Sequence, residues 1–305
     1  MECYVPLMVG LSWLENPDEY RRWRAVKLAA WDNGAAPIVV EIADPACLSD
    51  QERGEIAAQC QSRNMVIYDT NAPLDGPGLL AMAAQVGLQN VEHPLLTEGI
   101  GVTELAVADD ASPGRAPYIP YTDKPLSWHT DGYNNPTGAW VRSMVLHCVR
   151  PAASGGALSV LDPDLAYIRL RDENPDWITA LSHPEALTIP ANELAGDGVR
   201  DAISGPVFAE IESRLVMRYT HRQRHAVWRD DMVTKAAQEF LRAYLDGGDD
   251  MIATHRLTAG QGIICNNVLH RRNGFEDALE ADRRRLVYRA RFRDRVSESG
   301  LSSPP

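Results

Sequence analysis

A histidine and an aspartate stand two residues apart in Leu126-Ser127-Trp128-His129-Thr130-Asp131-Gly132. On a β-strand, residues two apart point to the same face. The spacing therefore predicts an imidazole nitrogen and a carboxylate oxygen side by side. Such a pair needs one further ligand to hold a ferrous ion on one face and leave its other positions open, the two-histidine, one-carboxylate set of non-haem iron chemistry. His-x-Asp alone is a weak signal, and a strand-end His–Asp hydrogen bond explains it equally well. A third ligand is offered by Gly262-Ile263-Ile264-Cys265-Asn266-Asn267-Val268-Leu269-His270-Arg271-Arg272, which reads as an apolar strand ending in His270. The ligand atoms of His129, Asp131 and His270 are expected within about 2.0–2.3 Å of one point, the range for N and O ligands of such ions.

Fifteen residues beyond His270 stands Arg285, in Arg284-Arg285-Leu286-Val287-Tyr288-Arg289-Ala290-Arg291-Phe292-Arg293. Leu286, Tyr288, Ala290 and Phe292 form one face; Arg285, Val287, Arg289, Arg291 and Arg293 form the other. A basic strand face is usually a solvated edge. It is also what a dicarboxylate needs, because the guanidinium fork pairs with a carboxylate bidentately. Arg285 and Arg289 would lie about 13 Å apart at roughly 3.3 Å per residue, far enough to hold two different anions. Arg289 is accordingly expected to contact an anionic substrate unless an internal carboxylate takes it.

His93, His147, His183, His221, His225 and His255 read as structural or surface residues. His221 and His225 would mimic a zinc site at i, i+4 on a helix, but the strand-like run before them and the lack of HExxH argue against that. Arg218 and Arg222 read either as lining a cavity or as basic side chains of a loop. Tyr118, Tyr121, Tyr133 and Asn134 flank His-x-Asp and could shape a pocket mouth, with Tyr133 and Asn134 as candidate substrate contacts; packing accounts for any one of them as well.

These residues need a scaffold. The 305 residues, 45% hydrophobic and 24% charged, fit a soluble globule with a large core. Length suggests two domains at about 150 residues each, but no linker divides the chain. A single domain, 1–305, is expected, with a helix and strand elaboration over 1–95, a β core over 100–295 and a flexible tail over 296–305. Helices are expected at 17–32, 49–63, 77–88, 163–171, 174–182 and 231–245. Ser49 and Glu52 open the second with a capping box. Short strands are expected at 37–42, 65–68, 102–108, 117–121, 126–131, 139–149, 157–161, 206–211, 214–220, 251–257, 262–269 and 284–293. Many short strands between turns indicate a sandwich, jelly roll or barrel, an α+β chain with a mainly β core. There is no GxGxxG, GxxxxGK[ST], GxSxG or HExxH, so nucleotide-binding and serine-hydrolase readings have no support.

The balance of 30 basic against 42 acidic residues gives −12 and argues against nucleic acid as a partner. No apolar run approaches the roughly 18 residues of a membrane span, and Met1–Pro6 opens without a secretory signal. Cys3, Cys47, Cys60, Cys148 and Cys265 are odd in number and widely spaced, which suits a reducing cytoplasm. The partner expected is a small molecule, and the chain could also form a homo-oligomer.

His-x-Asp, a distal histidine after Asn-Asn and then Arg-Arg-Leu-Val-Tyr-Arg together resemble the taurine dioxygenase/clavaminate synthase branch of the Fe(II)/2-oxoglutarate-dependent dioxygenases. The resemblance covers most of residues 100–293, including Trp128 and Gly155-Gly156. It implies a double-stranded β-helix, or jelly roll, with flanking helices. It implies Fe(II) on His129, Asp131 and His270, and the distal carboxylate of 2-oxoglutarate on Arg285. Arg289 matches an arginine that contacts substrate in several members. The activity implied is oxidation of a small anionic or zwitterionic substrate by O2, most simply hydroxylation, with release of succinate and CO2. Asp131 favours this over halogenation, since related halogenases lack that carboxylate. One departure stands out. The taurine-type threonine that helps hold 2-oxoglutarate is Leu158 here. Ser159 is the neighbouring hydroxyl and the candidate for that contact, yet a regular strand turns it to the other side; either Arg285 carries more of the pairing alone or another residue supplies it. Two rival readings stay open: a catalytically silent jelly-roll binding or sensor protein, and a metal-dependent enzyme that does not use 2-oxoglutarate.

Overall fold

The computed structural model describes residues 15–32, 34–93, 100–108, 119–191 and 200–296. Tyr118, the start of the expected strand 117–121, the tail beyond residue 296 and the side chain of His225 lie outside the described residues. In chain order, the N-terminal part gives α1 (Pro17–Ala29), β1 (Val39–Glu41), α2 (Asp50–Arg63), β2 (Met65–Asp69), α3 (Gly76–Ala84) and β3 (Val91–Glu92). Then come β4 (Val102–Leu105), β5 (Leu126–His129), β6 (Ser143–Arg150), β7 (Ser154–Gly155) and β8 (Leu158–Leu161). Next are α4 (Pro163–Glu173), α5 (Pro175–Leu181), β9 (Leu187–Ile189), β10 (Ile203–Gly205), β11 (Phe208–Ile211), β12 (Arg214–Met217) and β13 (Val227–Trp228). The chain closes with α6 (Met232–Gly247), β14 (Ala253–His255), β15 (Gln261–Cys265), β16 (Leu269–Arg272), β17 (Phe275–Glu276) and β18 (Leu286–Phe292).

Local sequence sets the helix starts. Asn16 accepts from the backbone N–H groups of Asp18 and Glu19, and Pro17 occupies the first turn, where a missing N–H costs nothing. Ser49 and Glu52 form both halves of the capping box at α2. Asp75, Asp162, Asn174 and Asp231 each cap a later helix by accepting a first-turn backbone N–H through the side chain. Among the described residues, no helix is long and apolar enough to cross a membrane.

Two sheets carry the architecture, which is α+β with a mainly β core. The larger runs β1-β2-β15-β6-β18-β3, with β4 also paired to β18; the smaller runs β14-β8-β16-β5. The N-terminal part is thus woven into the larger sheet through β1, β2 and β3. Alternation along the strands divides the larger sheet's contacts. Met144, Leu146, Cys148 and Val287 join one core with Leu158 and Val160 of the smaller sheet. Val66, Tyr68, Val145, Ile264, Ala290 and Phe292 join another with Ile56, Cys60, Leu79 and Met82 of α2 and α3. The larger sheet is therefore covered on both faces.

Several expected strands differ in extent, and Ile119–Tyr121, expected within a strand, is a 3-10 turn; two differences shape the site. The apolar run 262–269 is not one strand: β15 lies in the larger sheet and β16 in the smaller. The break falls at Asn266-Asn267, where Asn267 adopts the left-handed region (φ 50°), which asparagine tolerates better than β-branched residues. The run 126–131 stops being strand at His129, so Asp131 sits in the following turn.

Where β15 crosses between its neighbours, Gly262 admits the Tyr68 hydroxyl: a Cβ there would lie 2.3 Å from it. Tyr68 Oη lies 3.0 Å from Nδ1 of His147, and the Leu74 N–H donates to Nε2 of the same ring at 2.8 Å. That donor fixes the neutral tautomer with its proton on Nδ1. Burial pushes His147 from 6.5 down to about 4. Below pH 6.5 the unfolded chain binds a proton at this histidine that the folded chain refuses, so stability falls as pH drops through that window. Urea midpoints between pH 7 and 4 should show His147→Gln to be less pH-dependent than the wild type, by an amount on the order of 3 kcal/mol. Identical pH slopes for the two proteins would show that His147 is not the titrating group.

Candidate metal and cosubstrate site

His129 ends β5, and His270 lies directly opposite it on β16. The register slips between His270↔His129 and Arg272↔Leu126, and this β-bulge lets both Leu126 and His129 line one cavity. The imidazole centroids are 4.2 Å apart. Nδ1 of His129 is 2.8 Å from the Ser127 carbonyl, and Nδ1 of His270 is 2.9 Å from the Val268 carbonyl. Each contact places the ring proton on Nδ1 and leaves the Nε2 lone pair free. Asp131 Oδ1 lies 3.7 Å from His129 Nε2. One ligand atom from each of the three residues falls within 4.8 Å of the others.

All three residues are buried, at 7%, 4% and 5% exposure for His129, Asp131 and His270. Asp131 Oδ2 is buried with no hydrogen-bond partner. Burial, then the neighbouring His129, pushes His270 down to about 3, so its ring is neutral. Burial opposes the charge on Asp131, but Arg289, His129 and Arg291 outweigh it and hold the carboxyl well below the usual carboxylate range. Two ligand atoms at about 2.0–2.2 Å from one ion can stand up to roughly 4.4 Å apart, and the His129–Asp131 separation is inside that limit. Two imidazoles with free Nε2 positions, one carboxylate and an orphaned carboxylate oxygen fit a single divalent cation.

Asp131 holds its place without a strand ladder. The Thr130 N–H donates to the Tyr219 carbonyl, and the Tyr219 N–H donates to Thr130 Oγ1, each at 3.0 Å. Gly132 turns the chain at φ +66°, and a Cβ there would meet Val141 Cγ2 at 2.5 Å, so no larger residue follows the carboxylate without a shift. Asn267 supplies the decisive clamp. Its Oδ1 accepts from the Asp131 N–H at 2.8 Å, and its Nδ2 donates to the carbonyls of Asp131 (3.0 Å) and Val141 (2.7 Å). The turn that delivers His270 thus also fixes Asp131. Sequence reasoning named the Asn-Asn pair only as part of a motif; its signal was a polar pair interrupting an apolar run.

The cavity beside the three ligands is lined by both sheets, with Leu158 and Val287 among its apolar walls and Arg256, Arg272, Arg285 and Arg289 among its polar ones. Arg285 is 8% exposed and donates to the Leu105 carbonyl at 3.2 Å. Burial lowers its basicity, opposed by Cys148 and by Asp277, whose carboxylate accepts from the Arg285 backbone N–H at 2.6 Å. Arg289 does not stand free as expected of an open anion contact: its Nη1 lies 3.2 Å from Asp131 Oδ1, although its Nε is buried without a partner. Ser159 does not reach the cavity. It pairs across strands with Arg271 and Thr254, and its Oγ bonds Thr254 Oγ1 at 3.1 Å; strand alternation turns it away while Leu158 faces in. Tyr133 packs edge-on to His129 at 6.3 Å between centroids. Asn134 is exposed and outside this set, whereas its neighbour Asn135 bonds Glu92. Arg218 is spent on the backbone carbonyls of Pro206, Tyr133, Leu187 and Gly205, which leaves it a strut for the Tyr133 turn. Arg222 lines a separate surface recess with His221 and Arg242. A recess of about 880 Å³ lies elsewhere, beside α1 and α2, where Lys27 already pairs with Asp164.

The family described as taurine catabolism dioxygenase TauD, TfdA family matches residues 24–291. A uridine-5'-phosphate dioxygenase of Amycolatopsis sp is 32% identical over 171 residues, 52% of this chain and 58% of that protein. One of Streptomyces sp is 30% identical over 177 residues, 56% of this chain and 62% of that protein. The chain thus matches about three fifths of the length of these curated relatives. Among solved structures, an asparagine oxygenase in complex with Fe(II), 2S,3S-3-hydroxyasparagine and succinate superposes with a TM-score of 0.57 at 16% identity, covering 80% of each chain. The non-heme iron oxygenase OrfP in complex with Fe, succinate and (3R,4R)-dihydroxy-L-Arg gives 0.60 at 16%, covering 81% of this chain and 82% of that one. At such identities the likeness is one of fold.

The Asn267 clamp generates a test. Asn267→Ala and Asn267→Gly both remove its three hydrogen bonds, while only glycine keeps the left-handed backbone at no cost. Both variants should bind Co(II), used as an air-stable probe ion, roughly 10–100-fold more weakly, as loss of outer-shell partners usually does. Weakening in the alanine variant alone would assign the effect to backbone strain instead.

Proposed function

The chain belongs to the TauD, TfdA family of taurine catabolism dioxygenases, and from that membership we propose that it is an Fe(II)/2-oxoglutarate-dependent dioxygenase that hydroxylates a small anionic organic molecule. One observation carries the reading: a buried set of two imidazoles and a carboxylate opens on a cavity where, among the described residues, no carboxylate forms an ion pair with the Arg285 guanidinium. His129, Asp131 and His270 would hold the iron, and Arg285 the distal carboxylate of 2-oxoglutarate. When bound, Fe(II), 2-oxoglutarate and O2 supply the oxidising chemistry, with succinate and CO2 as coproducts.

The protein's own residues do the rest. Val268 and Ser127 orient the imidazoles through their carbonyls. Asn267 holds the Asp131 backbone, and Arg289 keeps the Asp131 carboxyl ionised. Leu158, Val287 and Leu146 keep the cavity walls apolar, which strengthens every charge interaction inside. For the substrate, the relatives' name points to a nucleoside monophosphate such as uridine 5'-phosphate. The surplus of guanidinium groups fits a phosphate dianion, with Arg289, whose Nε lacks a partner, as the contact we assign to it. Tyr133, against His129, is assigned to the pocket wall. The jelly-roll description fits the two facing sheets and the structural relatives. A reducing cytoplasm fits Cys47, Cys60, Cys148 and Cys265, which are all free thiols.

Anaerobic addition of Fe(II) and 2-oxoglutarate should give a weak visible charge-transfer band, absent in His270→Ala. A silent binding protein or an enzyme without this cosubstrate would give no band. Arg285→Lys should weaken 2-oxoglutarate binding by about tenfold or more while sparing Fe(II), because an ammonium cannot reproduce the planar fork. Equal loss of both would assign Arg285 a folding role. Succinate release in the presence of uridine 5'-phosphate, lost in an Arg289→Ala protein that still binds Fe(II) and 2-oxoglutarate, would support the substrate class; turnover of an uncharged nucleoside at the same rate would defeat it.

A further inference from the structure

Arg272 stands directly across the strand pair from Leu158, in the register of β16 against β8, and both line the cavity. It is 7% exposed. Its Nη2 donates to the carbonyls of Thr122 and Lys124, while its Nε is buried with no hydrogen-bond partner. Its Cζ lies 4.8 Å from the centre of the Phe275 ring, and the Cζ of Arg285 lies 5.0 Å from the same centre. Two guanidinium groups therefore share one aromatic ring beside a buried cavity. Asp123 beside Arg272 and Asp277 beside Arg285 oppose the burial of these charges, but Asp277 spends an oxygen on the Arg285 backbone N–H at 2.6 Å and neither forms an ion pair with the guanidinium groups.

A ring face attracts each cation, but it does not cancel their mutual repulsion. Buried charge is costly without a partner of opposite sign, and among the described residues none forms an ion pair with either guanidinium. We infer that Arg272 is a second arginine of the cosubstrate pocket, and that it donates with Arg285 to the distal carboxylate of the 2-oxo acid. The inference rests on the 2-oxoglutarate reading above. It also accounts for the wall opposite: Leu158 offers no donor, and its cross-strand neighbour supplies one. The carbonyls of Thr122 and Lys124 hold one edge of the guanidinium still, which presets the remaining donors.

The rival is a strut, an arginine that serves only to tie residues 122 and 124 to β16. Anaerobic titration of the Fe(II)-loaded protein separates the two. Oxalate carries the chelating end of the cosubstrate but no distal carboxylate. Arg272→Gln should raise the 2-oxoglutarate Kd by roughly 10–100-fold, the range for losing a hydrogen bond between charged groups, with the oxalate Kd unchanged within about twofold. Arg272→Lys, which keeps the charge and loses the fork, should fall between; it serves as the measured variant if the glutamine form does not fold. Parallel weakening of both ligands, or no change in either, overturns the role of Arg272 and leaves the strut. Failure of the wild type to bind 2-oxoglutarate at all would instead defeat the cosubstrate reading itself.

Discussion

A carboxylate 4% exposed cannot stay ionised without compensation, and the structure around Asp131 is arranged to provide it. Asp131 sits in the turn after β5 of the smaller sheet; Arg289, its ion-pair partner, belongs to β18 of the larger one. The pair therefore joins the two sheets at the site. Removing one member of a buried pair typically costs about 3–5 kcal/mol, because the other charge is left uncompensated. A divalent cation bound between Asp131 and the two imidazoles would supply positive charge at the same point. The ion pair and the metal set thus depend on one carboxylate, which explains why its backbone is held by a third group, Asn267, and not by a strand ladder.

The charge distribution sets the cavity apart from the rest of the surface. The chain as a whole is acidic, at −12, yet Arg256, Arg272, Arg285 and Arg289 converge on one lining. A cationic recess with apolar walls focuses potential on small anions, while the acidic exterior repels extended polyanions. The same polarity lets Arg291 stay buried, because Glu92 meets it at 2.7 Å and Glu92 also accepts from Asn135 at the turn after His-x-Asp. Basic side chains along this segment are therefore divided by position: Arg291 pairs with Glu92 and Arg289 with Asp131, while Arg285, just before β18 and beside Phe275, has no ion-pair partner among the described residues.

Much of this was legible in the sequence. The period-2 pattern of β18 separated the arginine face from the Tyr288, Ala290 and Phe292 face, and the second face packs into the helical side of the larger sheet. The capping box at Ser49 and Glu52 located α2 to within a residue. That His129, Asp131 and His270 come together was readable because a candidate ligand set restricts residue type at each place. What was not legible depended on contacts across the chain. Strand spacing implied that His129 and Asp131 share a strand face, whereas a glycine turn and the side chain of Asn267 bring Asp131 into position. Nothing local revealed that Arg289 meets Asp131, or that Arg272 lies opposite Leu158, because register between distant strands is a tertiary property.

The break at Asn266-Asn267 shows how narrowly the site is specified. β15 is committed to the larger sheet by its pairing with β2 and β6, and β16 to the smaller by β8 and β5. Along β16 the faces alternate: His270 and Arg272 point to the cavity, while Arg271 turns to the far side and lies over Trp128 at 4.9 Å. Trp128 in turn donates to the Leu245 carbonyl of α6, so the far face is already filled by helix packing. A slip of one residue at the crossover would exchange the faces, driving Arg271 into the metal set and an imidazole against the indole. Asn267 opposes that slip twice, through its left-handed backbone and through three hydrogen bonds to Asp131 and Val141, which flank the turn after β5. The two residues that interrupt an otherwise apolar run thus determine which side of the sheet carries the chemistry.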